Sequence, residues 1–188
     1  MSFYNILSDD IRDGQADFIP LISEGDDDTP LEIESGAELP ILALRNMVLF
    51  PNVVMPVSIA RNKSLRLIRE VYAKNGLLGV LTQKEARVED PKEDDLYSIG
   101  TVARILRILE MPDNSTTVIL QGKSRFSLSE ITTMEPYMMA KVDLLSDIIP
   151  SSEDKEFEAL KEAVKDLAFK VIQNSTSLPS EISFAIRN

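Results

Sequence analysis

Few side chains in this sequence have the types and spacing that catalysis requires. The chain contains no cysteine and no histidine, which excludes thiolate nucleophiles, the Ser-His-Asp triad and imidazole metal sites. Lys123 and Ser124 could be taken for a Ser-Lys pair, but neighbours on a strand point to opposite faces of a sheet. We therefore expect no catalytic residue in this chain.

Phosphate and metal sites are also expected to be absent. The seven glycines are scattered, and no GxxxxGK[ST] loop or GxSxG motif occurs. The acidic run Glu93, Asp94 and Asp95 offers oxygen ligands but lacks the glycine and spacing of a calcium loop. A solvated charge run is the favoured interpretation, so the sequence predicts a binding module without cofactor-binding or metal-binding residues.

A module of this kind contacts its partner through exposed apolar side chains. The candidates lie near a proline-flanked turn and near the connection to the last strand, and several are methionines, which adapt to varied partners. The candidate contact residues are Met47, Leu49, Phe50, Met134, Tyr137, Met138 and Met139. The alternative for each residue is a place in the core.

Residues 1–38 are predicted to form an acidic, flexible leader. They hold eleven acids and one base, and so carry −10 of the net charge of −11. Two apolar patches, 18–22 and 31–33, could dock on a partner or on the body, although a solvated tail is favoured. The remaining residues are nearly neutral, which does not favour RNA binding.

The chain shows no signal for export or membrane insertion. No apolar run approaches the ~18 residues of a membrane span, and the N-terminus lacks a basic region followed by an apolar core. The sequence therefore predicts a cytoplasmic protein without a membrane partner.

Residues 39–148 are predicted to form a β domain with one inserted helix. Period-2 patterns and short apolar runs indicate strands at 41–44, 53–59, 77–81, 99–109, 116–121, 126–129 and 137–145. We expect Pro56 on an edge strand, 77–81 in the centre, a surface loop at 83–97, a hairpin turn at 112–115 and a strand break at Gly122. Mostly antiparallel pairing favours a small, partly closed barrel.

Two helices are predicted from 3.6-residue periodicity. The first covers 62–75, with Asn62 as its cap, an apolar stripe of Leu65, Ile68, Val71 and Tyr72, and a left-handed Gly76. The second follows Pro150, with Ser151 and Asp154 as a capping box and the apolar stripe Phe157, Leu160, Val164, Leu167, Val171 and Ile172. Another helix starts at Pro179, so 149–188 is expected to be the start of a truncated helical subdomain.

Ordered sequence blocks give the chain a family resemblance. They are Leu39-Pro40-x-Leu42-x-Leu44-Arg45-x-x-Val48-x-Phe50-Pro51, Arg61-x-Lys63-Ser64, Gln83-Lys84-x-Ala86, Asp95-Leu96-Tyr97-x-Ile99-Gly100-Thr101, Val118-x-Leu120-x-Gly122 and Leu178-Pro179-x-Glu181. With these blocks, residues 39–188 resemble the N-terminal domain of Lon, the ATP-dependent protease of the AAA+ class.

The resemblance implies an α+β fold with a mainly antiparallel PUA-like pseudo-barrel. It implies a non-catalytic region that engages unfolded or damaged protein substrates and supports assembly of a homohexamer. The parent enzyme would use ATP, Mg²⁺ and a Ser-Lys dyad outside this chain to degrade misfolded and short-lived regulatory proteins. The alternatives are a free-standing adaptor without protease activity and an RNA-binding PUA-like module, which the charge distribution disfavours.

Overall fold

The computed structural model of the 188-residue chain describes residues 21–22 (backbone only), 33, 36–111, 115–148, 150–151 and 154–174. The chain divides into two compact units, residues 1–146 and 147–188. Predictions for most of residues 1–35, for the turn at 112–114 and for the helix from 179 fall outside the described residues. Within the described ranges, no helix is long and apolar enough to cross a membrane.

In its described part, the first unit contains seven strands and one α-helix. The strands are β1 (Leu21–Ile22), β2 (Ala37–Leu44), β3 (Val53–Ile59), β4 (Leu77–Thr82), β5 (Ile99–Glu110), β6 (Thr116–Thr133) and β7 (Met139–Leu144), and the helix is α1 (Asn62–Ala73). A strand occupies each predicted position. The structure starts β2 at Ala37, however, four residues before the predicted strand.

The strands form one mixed sheet in the order β1-β3-β6-β5-β4-β2-β7. Because β7 also pairs with β6, strands β6, β5, β4, β2 and β7 form a closed ring of pairings, while β3 and β1 extend from β6 outside it. The β2–β4 pairing is parallel, with Ile41 opposite Gly79, and the other pairings among the described strands are antiparallel. The architecture is thus a mixed sheet and not a clean barrel.

The apolar core consists of two clusters of buried side chains. The first gathers residues of β2 to β6 against the buried face of α1, which is formed by Leu67, Ile68 and Val71. The second is built around Phe126. Strand β4 is buried from Leu78 to Leu81 between β5 and β2, as its apolar sequence predicts. Tyr72 was predicted on the buried stripe of α1 but is exposed.

The residues that cap α1 differ from the prediction by one position at each end, and the helix ends at Ala73, two residues before the predicted end. Arg61 occupies the N-cap position without a capping side-chain hydrogen bond, and Asn62 is the first helical residue. At the other end, Asn75 adopts the left-handed conformation, with φ of 48°, that was predicted for Gly76. Asparagine tolerates this region better than most residues, so either position could end the helix.

Two glycines of the sheet are sites of close backbone approach. Glycine within a strand predicts a bulge or a close backbone approach. A Cβ atom at Gly100 would lie 2.3 Å from the carbonyl oxygen of Val80, so the backbone approaches closely there. The predicted strand break at Gly122 is wrong, because β6 runs through it without interruption. A Cβ atom there would lie 2.1 Å from the carbonyl oxygen of Phe50, so the absence of a side chain lets the backbone at Phe50 pack directly against β6.

The second unit contains the helix α2 (Lys155–Asn174). Asp154, and not Ser151, caps this helix: its Oδ1 accepts hydrogen bonds from the backbone N–H groups of Glu156 at 3.1 Å and Phe157 at 3.0 Å. Most of the predicted apolar stripe is exposed in this unit, namely Phe157, Leu160, Val164, Leu167 and Val171.

Parts of the predicted leader contact the first unit. Leu21–Ile22 pair antiparallel with β3, where Leu21 lies opposite Val54 and Ile22 opposite Val53. Ile33 is partly buried against the second core cluster. These two points correspond to the apolar patches of the leader, which at these positions dock on the body and do not extend into solvent. The domain boundaries themselves stay predictions.

Candidate functional site

The segment 45–52 connects β2 to β3 and forms a loop with two left-handed residues. Asn46 and Asn52 have φ values of 55° and 60°. Asparagine is among the few non-glycine residues that adopt this conformation at low cost. The asparagine in Phe50-Pro51-Asn52 therefore turns the chain back toward β3, as the sequence predicts.

Hydrogen bonds to three strands hold this loop in place. The Oγ1 atoms of Thr101 and Thr82 donate to the carbonyl oxygens of Leu49 at 2.6 Å and Met47 at 2.7 Å. The backbone N–H of Asn52 donates to the carbonyl oxygen of Gly122 at 3.1 Å. The buried side chain of Leu49 adds a contact with the first core cluster. The loop is thus fixed to β4, β5 and β6.

The fixed backbone presents apolar side chains to solvent. Val48 is 54% exposed and Phe50 is 61% exposed. Ile99 lies two residues before Thr101 on β5, so its side chain leaves the sheet on the face that contacts the loop. Tyr97 is joined to the same region, because its N–H donates to the carbonyl oxygen of Thr82 at 3.0 Å. We call the exposed residues Met47, Val48, Phe50, Tyr97 and Ile99 the apolar loop surface.

Arg45 anchors the base of this loop to the 83–97 connection. Its Nη2 atom lies 3.2 Å from Oε2 of Glu89 and 3.4 Å from the carbonyl oxygen of Val88. Arg61 also donates to the Val88 carbonyl. The pKa of Arg61 is lowered by burial and by the charge of Arg45, while Glu89 raises it. Arg45 therefore has a structural role in this loop.

The 83–97 connection is less exposed than predicted. Gln83, Pro91 and Leu96 are buried. The side chain of Gln83 accepts a hydrogen bond from Arg61 and donates to the carbonyl oxygens of Val88 at 3.0 Å and Glu85 at 3.2 Å. The prediction of a surface loop is wrong at these positions, because a buried amide can satisfy several backbone groups at once.

A cavity of about 190 Å³ lies between β2, the start of α1, the 89–91 segment and the 134–138 connection. Apolar side chains line one part of it, and the residues are Ile41, Ala43, Leu67, Met134, Tyr137 and Met138. Lys63 lies at the charged part, 2.8 Å from Glu135 and 3.4 Å from Asp90. The hydrogen bond to Glu135 raises the pKa of Lys63.

Tyr137 joins the 134–138 connection to α1. Its hydroxyl group donates to Oε2 of Glu70 at 2.9 Å, and Nε of Arg66 donates to Oε1 of the same carboxylate at 2.9 Å. The hydrogen bonds from Arg66 and then Tyr137 lower the pKa of Glu70. Burial, followed by the hydrogen bond to Glu70, raises the pKa of Tyr137.

Comparison with known proteins assigns this architecture to a family. The family described as the ATP-dependent protease La (LON) substrate-binding domain matches residues 38–188. The chain belongs to the LON substrate-binding domain family.

Relatives of this LON substrate-binding domain are named Lon protease. The chain is 47% identical to Lon protease of Flavobacterium johnsoniae over 176 residues, and 48% identical to that of Parabacteroides distasonis over 183 residues. These alignments cover 94% and 96% of the chain but 22% of each relative. The LON substrate-binding domain therefore spans about a fifth of the length of the curated relatives that it matches.

Solved structures share the fold at low sequence identity. The N-terminal domain of Mycobacterium avium complex Lon protease has a TM-score of 0.65 at 19% identity, covering 80% of this chain and 75% of that one. The Lon N-terminal domain protein from Xanthomonas campestris has a TM-score of 0.56 at 17% identity, covering 71% and 74%. Both similarities concern the fold alone.

The seven predicted contact residues do not form one site in this LON substrate-binding domain. Met47 and Phe50 belong to the apolar loop surface, whereas Leu49 is buried beneath it. Of the remaining residues, Met134 and Tyr137 are partly buried at the cavity, Met138 is buried there, and Met139 is partly buried in β7. Leu49 and Met138 are therefore core residues in this structure, and whether the other five contact a substrate stays a prediction.

Sequence patterns alone did not reveal three residues of the apolar loop surface. Val48, Tyr97 and Ile99 are exposed, although Ile99 begins a largely apolar strand. One signal was available: Thr101 is a polar residue within that strand, and its buried hydroxyl needs a partner. The loop carbonyl of Leu49 is that partner.

Proposed function

We propose that this chain is the non-catalytic N-terminal region of an ATP-dependent Lon protease, and that the apolar loop surface binds unfolded or damaged protein substrates. The observation that carries the proposal is the exposure of Val48 and Phe50 on a loop fixed to three strands. Apolar side chains on a fixed backbone gain free energy when a partner covers them, and little ordering entropy opposes this gain. Unfolded segments supply matching apolar side chains.

The cavity beside α1 is a second candidate contact for the same substrates. Met134 and Tyr137 supply apolar surface there, and Lys63 with its two acidic partners supplies a polar rim. This arrangement suits one apolar side chain of an extended segment.

We propose further that the parent protein is a homohexamer in the cytoplasm. The parent uses ATP, Mg²⁺ and a Ser-Lys dyad to degrade misfolded and short-lived regulatory proteins. This chain supports assembly of the hexamer through a PUA-like pseudo-barrel. Among the described residues, no group of three or more acidic side chains could hold a metal ion. The proposal assigns ATP and Mg²⁺ to other parts of the parent. The relatives compared are named Lon protease, which favours this proposal over a free-standing adaptor.

Substitution of the loop surface tests substrate binding. The double variant Val48→Ser and Phe50→Ser should bind a permanently unfolded protein, such as reduced and carboxamidomethylated α-lactalbumin, about tenfold or more weakly. Burial of one such side chain contributes about 1.5–3 kcal/mol, and about 1.4 kcal/mol corresponds to tenfold in affinity. Fluorescence anisotropy with dye-labelled client measures the dissociation constant.

The matched control is Tyr72→Ser, which removes an exposed aromatic side chain from α1, away from the loop. It should leave client affinity unchanged. An equal loss of client affinity in Tyr72→Ser and in the double variant would show that any exposed apolar residue contributes to binding. No binding by the wild-type chain would refute the proposal. Circular dichroism of each variant establishes that the fold is retained.

A further inference from the structure

The sheet has one edge that is only partly covered. Strand β3 pairs with β6 from Val54, opposite Gln121, to Ile59, opposite Thr116. On its other side, the described pairing is with Leu21–Ile22 alone, opposite Val53 and Val54. Among the described residues, no strand pairs with β3 on that side from Met55 onward. An uncovered strand edge offers backbone groups to an incoming extended chain.

This edge adjoins the apolar loop surface. Val53 directly follows the 45–52 loop, and its N–H donates to the carbonyl oxygen of Phe50 at 3.3 Å. An extended segment paired with Val53 and Val54 therefore lies next to the end of the loop that carries Phe50. Backbone pairing at the edge and apolar contacts at the loop can serve the same segment.

The segment that occupies the edge has the composition expected of such a ligand. Leu21–Ile22 are part of the apolar run Phe18-Ile19-Pro20-Leu21-Ile22, within an otherwise acidic leader. Fourteen residues separate Ile22 from the start of β2 at Ala37. A tether of this length gives the leader a high effective concentration at the edge, which offsets the weakness of a two-residue pairing.

We propose that the edge of β3 at Val53–Val54 is a strand-addition site for extended apolar segments of client proteins, and that Leu21–Ile22 of the leader occupy this site in cis. Strand addition gives affinity through backbone hydrogen bonds and does not require a particular client sequence. Pro56 lies two residues beyond Val54 and limits how far an added strand can extend, which also protects the edge against open-ended self-association. This inference rests on the proposed function, because the strand-addition site and the apolar loop surface are proposed to bind the same unfolded proteins.

The test disrupts the cis strand in the full chain. Pro56 lacks an N–H and lies in the uninterrupted β3–β6 pairing, so Val54, two residues before it, directs its backbone groups toward β1, and Leu21 is its hydrogen-bonded partner. Leu21→Pro removes the backbone donor of this pair and should release β1 from β3. The matched control, Gln15→Pro, introduces the same residue into the leader six residues before β1. The dye-labelled unfolded client should bind the Leu21→Pro variant about fivefold more tightly than wild type, which corresponds to a site that is open about a fifth of the time in the wild-type chain. Gln15→Pro should bind as wild type does.

Amide hydrogen exchange locates the effect on β3. Exchange at the amide of Val54 should be slow in wild type, fast in Leu21→Pro, and slow again in Leu21→Pro with client bound. The amide of Val53 is bonded to the Phe50 carbonyl and should not change. Client binding with equal affinity in all three proteins, without protection of the Val54 amide, would overturn the inference and leave the proposed function intact. Absence of client binding in every protein would refute the proposed function.

A second copy of the chain is the other possible occupant of the opened edge. If Leu21→Pro forms a dimer in sedimentation experiments and its Val54 amide becomes protected with rising protein concentration in the absence of client, the proposed client site is overturned in favour of self-association. A monomeric variant with client-dependent protection supports strand addition.

Discussion

At the scale of single residues, Gly122 shows how the sheet and the apolar loop surface depend on each other. Its backbone carbonyl accepts the N–H of Asn52, and the carbonyl oxygen of Phe50 lies where a side chain would begin. The close contact between β6 and the loop therefore requires a residue without a Cβ atom. In the sequence this glycine resembles a strand terminator, and only the packing shows its actual role.

Replacing Gly122 by alanine should displace the loop. A Cβ atom 2.1 Å from a backbone oxygen cannot be accommodated without movement, and we expect a loss of about 1–3 kcal/mol in the free energy of unfolding together with weaker client binding. Gly76→Ala is the control, because its Cβ would meet its nearest atom at 3.6 Å. Urea denaturation measures both variants, and equal stability in the two would contradict the packing described here.

The hydrogen bond between Tyr137 and Glu70 predicts a pH-dependent effect. The pKa of Glu70 is lowered from its ordinary value of 4.5, first by Arg66 and then by Tyr137. A lowered folded-state pKa means that the ionised carboxylate stabilises the fold above pH 4.5, and that this contribution is lost as the pH falls through the lowered value. Tyr137→Phe should raise the pKa of Glu70 and reduce the pH dependence of stability in this acidic range.

Carbon-detected NMR titration of the Glu70 carboxyl group measures this pKa directly. Tyr72→Phe, which changes an exposed tyrosine of the same helix, should leave it unchanged. An identical Glu70 titration in wild type and Tyr137→Phe would show that the hydrogen bond does not influence the carboxylate.

At the scale of elements, the 83–97 connection joins α1 to the loop through one buried amide. Gln83 is 4% exposed and bonds to Arg61 and to two backbone carbonyls. Arg61 and Arg45 then converge on the carbonyl of Val88. Both the start of α1 and the base of the apolar loop surface thus depend on a connection that lacks regular secondary structure over most of its length.

Gln83→Ala should destabilise this connection. The substitution leaves the Arg61 guanidinium and the carbonyls of Glu85 and Val88 without this partner, and an unsatisfied buried polar group costs about 1–3 kcal/mol. Lys84→Ala removes an exposed bond to the carbonyl of Asp94 and should change stability by less than about 0.5 kcal/mol. Urea denaturation compares the free energies of unfolding of the two variants. Equal losses of stability would show that the buried amide of Gln83 contributes no more than an exposed hydrogen bond.

The sequence predicted elements better than their contacts. The positions of β3, β4 and β5 follow from apolar periodicity, which directly reports burial of one face or of both. The caps at Arg61 and Asp154 differ from the predictions by one and three residues, because several polar residues near each helix start can fill the same role. The burial of Gln83 was missed, because a polar side chain is predicted to be exposed unless its partners are known.

At the scale of the whole molecule, the pairing of distant strands was beyond the reach of local patterns. The parallel β2–β4 pair and the pairing of β2 with β7 join segments that are far apart in sequence, and no periodicity specifies them. The candidate site shows the same limit: Met47 and Phe50 were predicted from their position near a turn, whereas Tyr97 and Ile99 join them only through the folded sheet. The family resemblance supplied the family of the domain, which the local patterns did not, but neither predicted the parallel pair.

The pairing of the first long strand with the last one also sets an order for biosynthesis. Ala37 of β2 lies opposite Val142 of β7, and β7 in turn pairs with β6. During translation, β2 leaves the ribosome long before its β7 partner exists. Its half from Ala37 to Pro40, which pairs with β7, therefore lacks this partner until about a hundred further residues have been added. The ring of strands therefore closes only after β7 has emerged, and until then the nascent chain presents the kind of exposed apolar segment that attracts chaperones.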